Sequence, residues 1–177
     1  MRKIFDTVPA ADLQNERLKL KKRPYGMIEV INEQFTQIQL RPWPKFISGI
    51  EAKWADGWGR KRSQKNQSQV FYSQPLSQRN YLTLTYAITT LQTSWTTLSY
   101  SLALLDYVAF VKRSDAILTE VSNRRISDQV MERLGYERHL HNSRKRHFIK
   151  RFYGEYPNNR LLVKKLGIKF QNRLLTV

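Results

Sequence analysis

Cysteine is absent from the 177 residues, which removes a disulfide framework, a cysteine-ligated zinc and a thiol nucleophile together. That absence suits an intracellular protein. Long apolar runs are missing too. The least polar stretch, residues 81–111, is interrupted by Thr, Ser, Gln and Asp106, which makes it a poor membrane span. The first 26 residues, ending in KLKKRPYG, contain no apolar segment of the kind a secretory leader needs, and Asp6, Asp12 and Glu16 are foreign to a transit peptide. The expectation is a soluble, cytoplasmic protein. No Walker loop, dinucleotide glycine pattern or Ser-His-Asp signature is present. Acidic residues are scarce: 14 against 31 Lys and Arg, a formal net charge of +17. Such an excess is the footprint of a protein that meets nucleic acid, an anionic cofactor or an anionic surface, although it also serves solubility alone.

What is present suffices for a core. Forty-one per cent of the residues are hydrophobic and 12% aromatic, and a chain of this length buries about two thirds of its unfolded surface. The expected division is a basic, loosely held arm or short helix over 1–26, a single domain over 27–157, and an apolar and basic tail over 158–177 able to form a strand, a helix or a partner contact. Period-two patterning in MIEVINEQFTQIQL predicts a half-buried hairpin, with Phe35, Gln37 and Gln39 set against Thr36, Ile38 and Leu40. Phe46, Ile50, Trp54 and Trp58 fall on one helical stripe within 45–60, and 59–69 reads as a polar loop. VFYSQP reads as a short edge strand. YLTLTYAITTL (81–91) is the longest strand signal, with Leu82, Leu84, Tyr86 and Ile88 on one side. A helix follows with Ser99 as N-cap and Leu102, Leu105, Val108, Ala109 and Val111 on its apolar side. AILTEV (116–121) is a strand, a second helix from Arg125 to Leu134 buries Ile126, Val130 and Leu134, Gly135 supplies a left-handed cap, and 146–154 is a final strand. Strand and helix alternating from 81 to 153, with hairpins in front, point to an α+β (mixed α/β) fold with a partly parallel central sheet and flanking helices.

The chemistry-bearing residues are few. His139, His141 and His147 include an HLH pair on one side of a strand, but no carboxylate or cysteine shares a metal-ligand spacing with them, and the surrounding Arg and Lys oppose a cation. No metal is expected. The basic clusters 19–23, 60–65, 144–147 and 150–153, with Trp54, Trp58, Phe148 and Tyr153 close by, have the composition of a single-strand nucleic-acid surface. Asp128 fits the first turn of its helix, where the dipole favours a carboxylate.

The order YLTLTYAITTL, QTSWTTLS, YSLALLDYVAFVKRS, AILTEV, RISDQVMERLG, RHFIKRFY resembles that of the acyl-CoA-dependent N-acetyltransferase (GNAT) superfamily over residues 81–153. Gly135 and Tyr136 match the end of that family's second motif, Ser127 falls on its small position, and Asn123 lies one residue off register. The resemblance implies a GNAT-like fold and acetyl-CoA or another acyl-CoA as cofactor. It implies pyrophosphate binding by the turn and helix start at Trp95, Thr96, Thr97, Leu98 and Ser99, with Asn123 nearby, and Glu120 and Tyr136 as candidate catalytic residues. Two positions depart from the family pattern. The phosphate turn has no glycine, and Met131 stands where the family places a general-acid tyrosine. The functions implied are therefore an N-acyltransferase acting on an amine, or a relative that kept the fold and lost the reaction. The alternative is a non-enzymatic basic protein that binds nucleic acid or another polyanion.

Overall fold

The computed structural model describes residues 6–42, 66–121, 126–140 and 144–170. Trp54 and Trp58, the stripe over 45–60, the basic run 60–65, Asn123 and His141 lie outside the described residues. The elements are β1 (Asp6–Pro9), α1 (Arg17–Lys22), β2 (Tyr25–Ile31), β3 (Gln34–Arg41), β4 (Gln67–Ser73), β5 (Tyr81–Thr89), α2 (Trp95–Lys112), β6 (Ala116–Val121), α3 (Asp128–Arg133), β7 (Glu137–His139), β8 (Arg146–Arg151) and α4 (Arg160–Leu166). One eight-stranded sheet runs β1-β3-β2-β4-β5-β6-β8-β7. Every neighbouring pair is antiparallel except β5 with β6, which is parallel. The expected α+β class and partly parallel sheet are what the chain forms.

The β2–β3 hairpin turns on Asn32 and Glu33, both at positive φ (50° and 61°), the geometry of a two-residue turn matched to strand twist. Register then departs from simple alternation twice. Val30 faces Phe35 while Glu29 faces Gln37, so Thr36 is an extra residue and Phe35 shares the core face with Ile38 and Leu40. Likewise Tyr72 faces Leu84 while Phe71 faces Tyr86, so Thr85 is a bulge. It turns Tyr86 and Ile88 to the face opposite Leu82 and Leu84, where strict alternation had placed all four together. VFYS is not an edge strand: β4 is paired on both sides, with β2 and β5, and the proline falls after its last residue.

Residues 6–26 of the basic N-terminal stretch form a strand and the short helix α1 and pack on the sheet. β1 extends the sheet beyond β3, and Val8, Leu13 and Leu20 are fully buried. Residues 158–170 of the tail fold as well: α4 buries Leu162, and Ile168 and Phe170 join the core. α2 lies across β2, β3 and β4 with α1 and α4 on its outer side, so its residues from Tyr100 to Ala109 are all buried. A helix covered all round needs no polar face, which is why the apolar stripe read from the sequence is only part of its buried surface. α3 is shorter than expected, Asp128 to Arg133, capped by the Ser127 hydroxyl accepting from Val130 N–H. Its buried residue is Met131 rather than Val130, because Tyr136 N–H bonds back to the Met131 carbonyl and Gly135 N–H to that of Glu132. This is a Schellman end that clamps Met131 and Tyr136 into the core, with Gly135 at φ 83° as anticipated.

Candidate functional site

The parallel pairing of β5 with β6 covers only Tyr81–Leu84 against Ala116–Thr119. Past that point β5 stays with β4 up to Thr89 and β6 stays with β8 up to Val121, so the two strands part company. The Thr119 hydroxyl donates to the Leu84 carbonyl at 3.2 Å and closes the base of the opening. Thr85, Tyr86 and Ala87, on the β5 side, are exposed.

The turn from β5 into α2 ends beside this opening. α2 begins at Trp95 with Ser94, not Ser99, as its cap. The Ser94 hydroxyl accepts from the Thr97 N–H at 3.1 Å and from the Asn66 amide at 3.3 Å, and donates to Glu33 Oε1 at 3.0 Å. Asn66 Oδ1 accepts the Ser94 N–H at 2.9 Å. Thr93 donates to the Gln67 carbonyl at 2.7 Å. Two distant segments, the β2–β3 hairpin and the start of β4, thus select the capping serine, and Ser99 falls inside the helix with its hydroxyl buried and unpartnered among the described residues. The N–H groups of Trp95 and Thr96 have no acceptor among the described residues. Trp95 is half exposed, Thr97 is buried, and Thr96 and Leu98 are intermediate. The turn therefore uses Ser and Thr hydroxyls for internal bracing and leaves backbone N–H groups and the helix dipole facing outward. Lys165 of α4 donates to the Glu33 carbonyl and stands 5.2 Å from the centre of the Tyr100 ring, placing a cation at the same end of α2. Sequence patterning missed Glu33 and Lys165, since only tertiary packing brings a hairpin tip and the last helix to this point.

The two catalytic candidates do not meet. On β6, Glu120 pairs with His147 and Leu118 with Ile149, whereas Ile117 and Thr119 pair with Lys150 and Phe148. Lys150 reaches Asp106 of α2, so Glu120 lies on the face away from α2. It is half exposed, ion-paired to Lys145 at 3.1 Å, and in a cross-strand row with His147 and His139. Tyr136 lies on the α2 side at 2% exposure. Its hydroxyl has no partner among the described residues, and burial, with the Asp106 carboxylate nearby, pushes its pKa well above the ordinary value. The Tyr136 side chain is packed in the core. Among the described residues no group of three His, Cys, Asp or Glu is placed to hold a metal.

Beneath α2, the Asp106 carboxylate accepts a hydrogen bond from the Lys150 ammonium at 2.7 Å, and Lys150 also donates to the Leu134 carbonyl at 3.0 Å. Burial raises the Asp106 pKa, with the Lys150 charge acting against it. Several cations of the described basic clusters are ion-paired to carboxylates of the same fold. Lys19 pairs with Glu16, Arg23 with Asp6, Arg146 with Asp128 and Arg151 with Glu137. Arg146, ahead of Arg138, holds the Asp128 pKa below its usual value. Phe148, a candidate stacking platform, is buried with the Arg138 and Arg146 guanidinium groups over its ring. No helix among the described residues is long and apolar enough to cross a membrane.

No protein-family model matches the chain and no curated protein matches it. Among solved structures, a nourseothricin acetyltransferase aligns with a TM-score of 0.42 at 9% identity, over 84% of this chain and 99% of that one.

Proposed function

We propose that the opening between β5 and β6 holds an acyl-CoA and that the chain is a divergent N-acyltransferase that moves the acyl group to an amine. The observation that carries this reading is the parting of the two parallel strands after Leu84 and Thr119, with the bulge at Thr85 and the start of α2 at its mouth. Beyond Leu84 the β6-facing edge of β5 carries backbone N–H and C=O groups that no strand among the described residues takes up, and an amide-bearing pantetheine arm is a strand-like partner for such an edge. Its pyrophosphate would sit at the N–H groups of Trp95 and Thr96, with Thr97, Leu98 and Ser99 completing the first turns; Asn123, the remaining candidate, lies outside the described residues. Glycine is dispensable in this turn because the anion meets the first turn of the helix itself.

In this reading the amine nitrogen attacks the thioester carbonyl, the C–N bond forms as the C–S bond breaks, and the thiolate takes up a proton from solvent. Glu120 is the carboxylate beside the opening; through a water it receives the proton lost by the amine, with His147 directly across on β8. Isothermal titration calorimetry with acetyl-CoA tests the first half of this. Binding at about millimolar cofactor or below is expected, and Ala87→Trp, which fills the opening, should abolish it. Absence of heat with the unaltered protein at that concentration would remove the cofactor from the account.

A further inference from the structure

At the opposite end of α2, about 27 Å from its cap by helical rise, a cavity of about 420 Å³ is lined by Arg17, Leu18, Lys21, Phe110, Val111, Arg113, Asp115, Gly154 and Tyr156. The volume is that of small-molecule sites in general. We infer that this cavity, between α1 and the C-terminal end of α2, is a binding site for a small organic anion: a carboxylate or phosphate monoester on an aromatic or alkyl body.

Two features of the lining carry this. The first is charge. Arg17, Lys21 and Arg113 stand against one carboxylate, Asp115, and Asp115 already accepts from the Asn80 amide at 2.9 Å. Arg17 spends its Nε on the Tyr107 hydroxyl at 3.2 Å, which leaves the two terminal nitrogens of its guanidinium for a ligand. Lys21 and Arg113 have no carboxylate partner among the described residues, whereas Lys19, Arg23 and the Arg and Lys side chains of β8 do. Nor is Arg113 needed to satisfy the end of α2: its own N–H and that of Ser114 already bond the Phe110 and Ala109 carbonyls.

The second feature is the apolar wall. Phe110 meets Tyr156 edge-on at 5.4 Å between ring centres, Val111 lies beside them, and Leu18 is 71% exposed at the rim. A β-carbon built on Gly154 would meet no atom within 4 Å, so the wall leaves space there. Cations around an aromatic wall suit a ligand with one charged end and one apolar end. Inorganic phosphate would use only half of the site, and a neutral aromatic only the other half.

The test uses the full chain and phenyl phosphate as the probe, followed by calorimetry and by chemical shifts of Phe110, Val111 and Gly154 amides. Binding with shifts confined to this end of α2 is expected. Inorganic phosphate and phenol should each bind at least about tenfold more weakly. The pair Lys21→Gln and Arg113→Asn, the second chosen because asparagine accepts the left-handed backbone at that position (φ 56°), should lower phenyl phosphate affinity by about tenfold or more at an unchanged melting temperature. No binding at about 10 mM, equal binding of inorganic phosphate, or unaltered affinity in a folded double variant would each overturn the site. Acetyl-CoA binding at the other end of α2 should be unaffected by the double variant, which keeps the outcome separate from that of the β5–β6 opening.

Discussion

Asp106 and Lys150 form a charged pair whose side chains are 4% and 12% exposed, and such a pair is costly to split and cheap to replace whole. Asp106→Asn strands the ammonium and Lys150→Met strands the carboxylate. Each should destabilise by about 3–5 kcal/mol, whereas the double change to Leu and Met should come out near neutral or better. Urea denaturation of the three variants checks the pattern, and equal losses in single and double variants would contradict it. Lys112 is the other buried cation, bonded to the Arg23 carbonyl at 2.8 Å and Gln74 Oε1 at 3.1 Å. Burial lowers its pKa from 10.5 to about 8. Below pH 8 the residue is charged in both folded and unfolded chains, and the burial cost is fully present. Between about 8 and 10.5 the unfolded chain binds the extra proton, so stability rises with pH. The difference between the unaltered protein and Lys112→Met, measured by denaturation at pH 8 and at pH 9.5 or so, should therefore shift in favour of the unaltered protein. Referencing to the variant removes the opposing tyrosines, since Tyr100 and Tyr156 are pushed up to about 12 by burial and lose their advantage only at higher pH.

At the scale of elements, α2 shows where sequence reading succeeds and where it stops. Its existence and end follow from the apolar run up to Lys112. Its cap does not: the sequence points to Ser99, and Asn66 and Glu33, brought in from distant parts of the chain, select Ser94 instead. Ser94→Ala should cost about 1 kcal/mol. Glu33→Gln removes a carboxylate from the helix start and should tighten acetyl-CoA binding by about two- to fivefold, the scale of a charge at a helix terminus. Weaker binding in that variant would place the pyrophosphate elsewhere. The strands tell a similar story. Hairpin and Gly135 cap were legible from local chemistry, since each rests on a short-range pattern, and the parallel pair from the strand–helix–strand order. The bulges at Thr36 and Thr85 were not, because an inserted residue breaks the period-two signal at the very point where the partner strand decides the register.

For the molecule as a whole, the strand and helix order from 81 to 153 was readable except for the short β7, and the sheet's order at the β1–β3 end was not. Nothing local says that β3 lies between β1 and β2. Nor could the sequence show that, among the described residues, Lys19, Arg23 and the Arg and Lys side chains of β8 face carboxylates of the same fold while Lys21 and Arg113 do not, so the net charge gave little information about where free cations remain. Glu120 and Tyr136 were separable only once the pairing placed them on opposite faces. The central claim, that the β5–β6 opening takes an acyl-CoA, is tested most directly by amide hydrogen exchange with and without acetyl-CoA. Slowed exchange at Thr85–Thr89 and at Trp95 and Thr96, with the rest of the sheet unchanged, is the expected result. Exchange at those amides that is indifferent to saturating acetyl-CoA, or protection confined to another part of the chain, would contradict it.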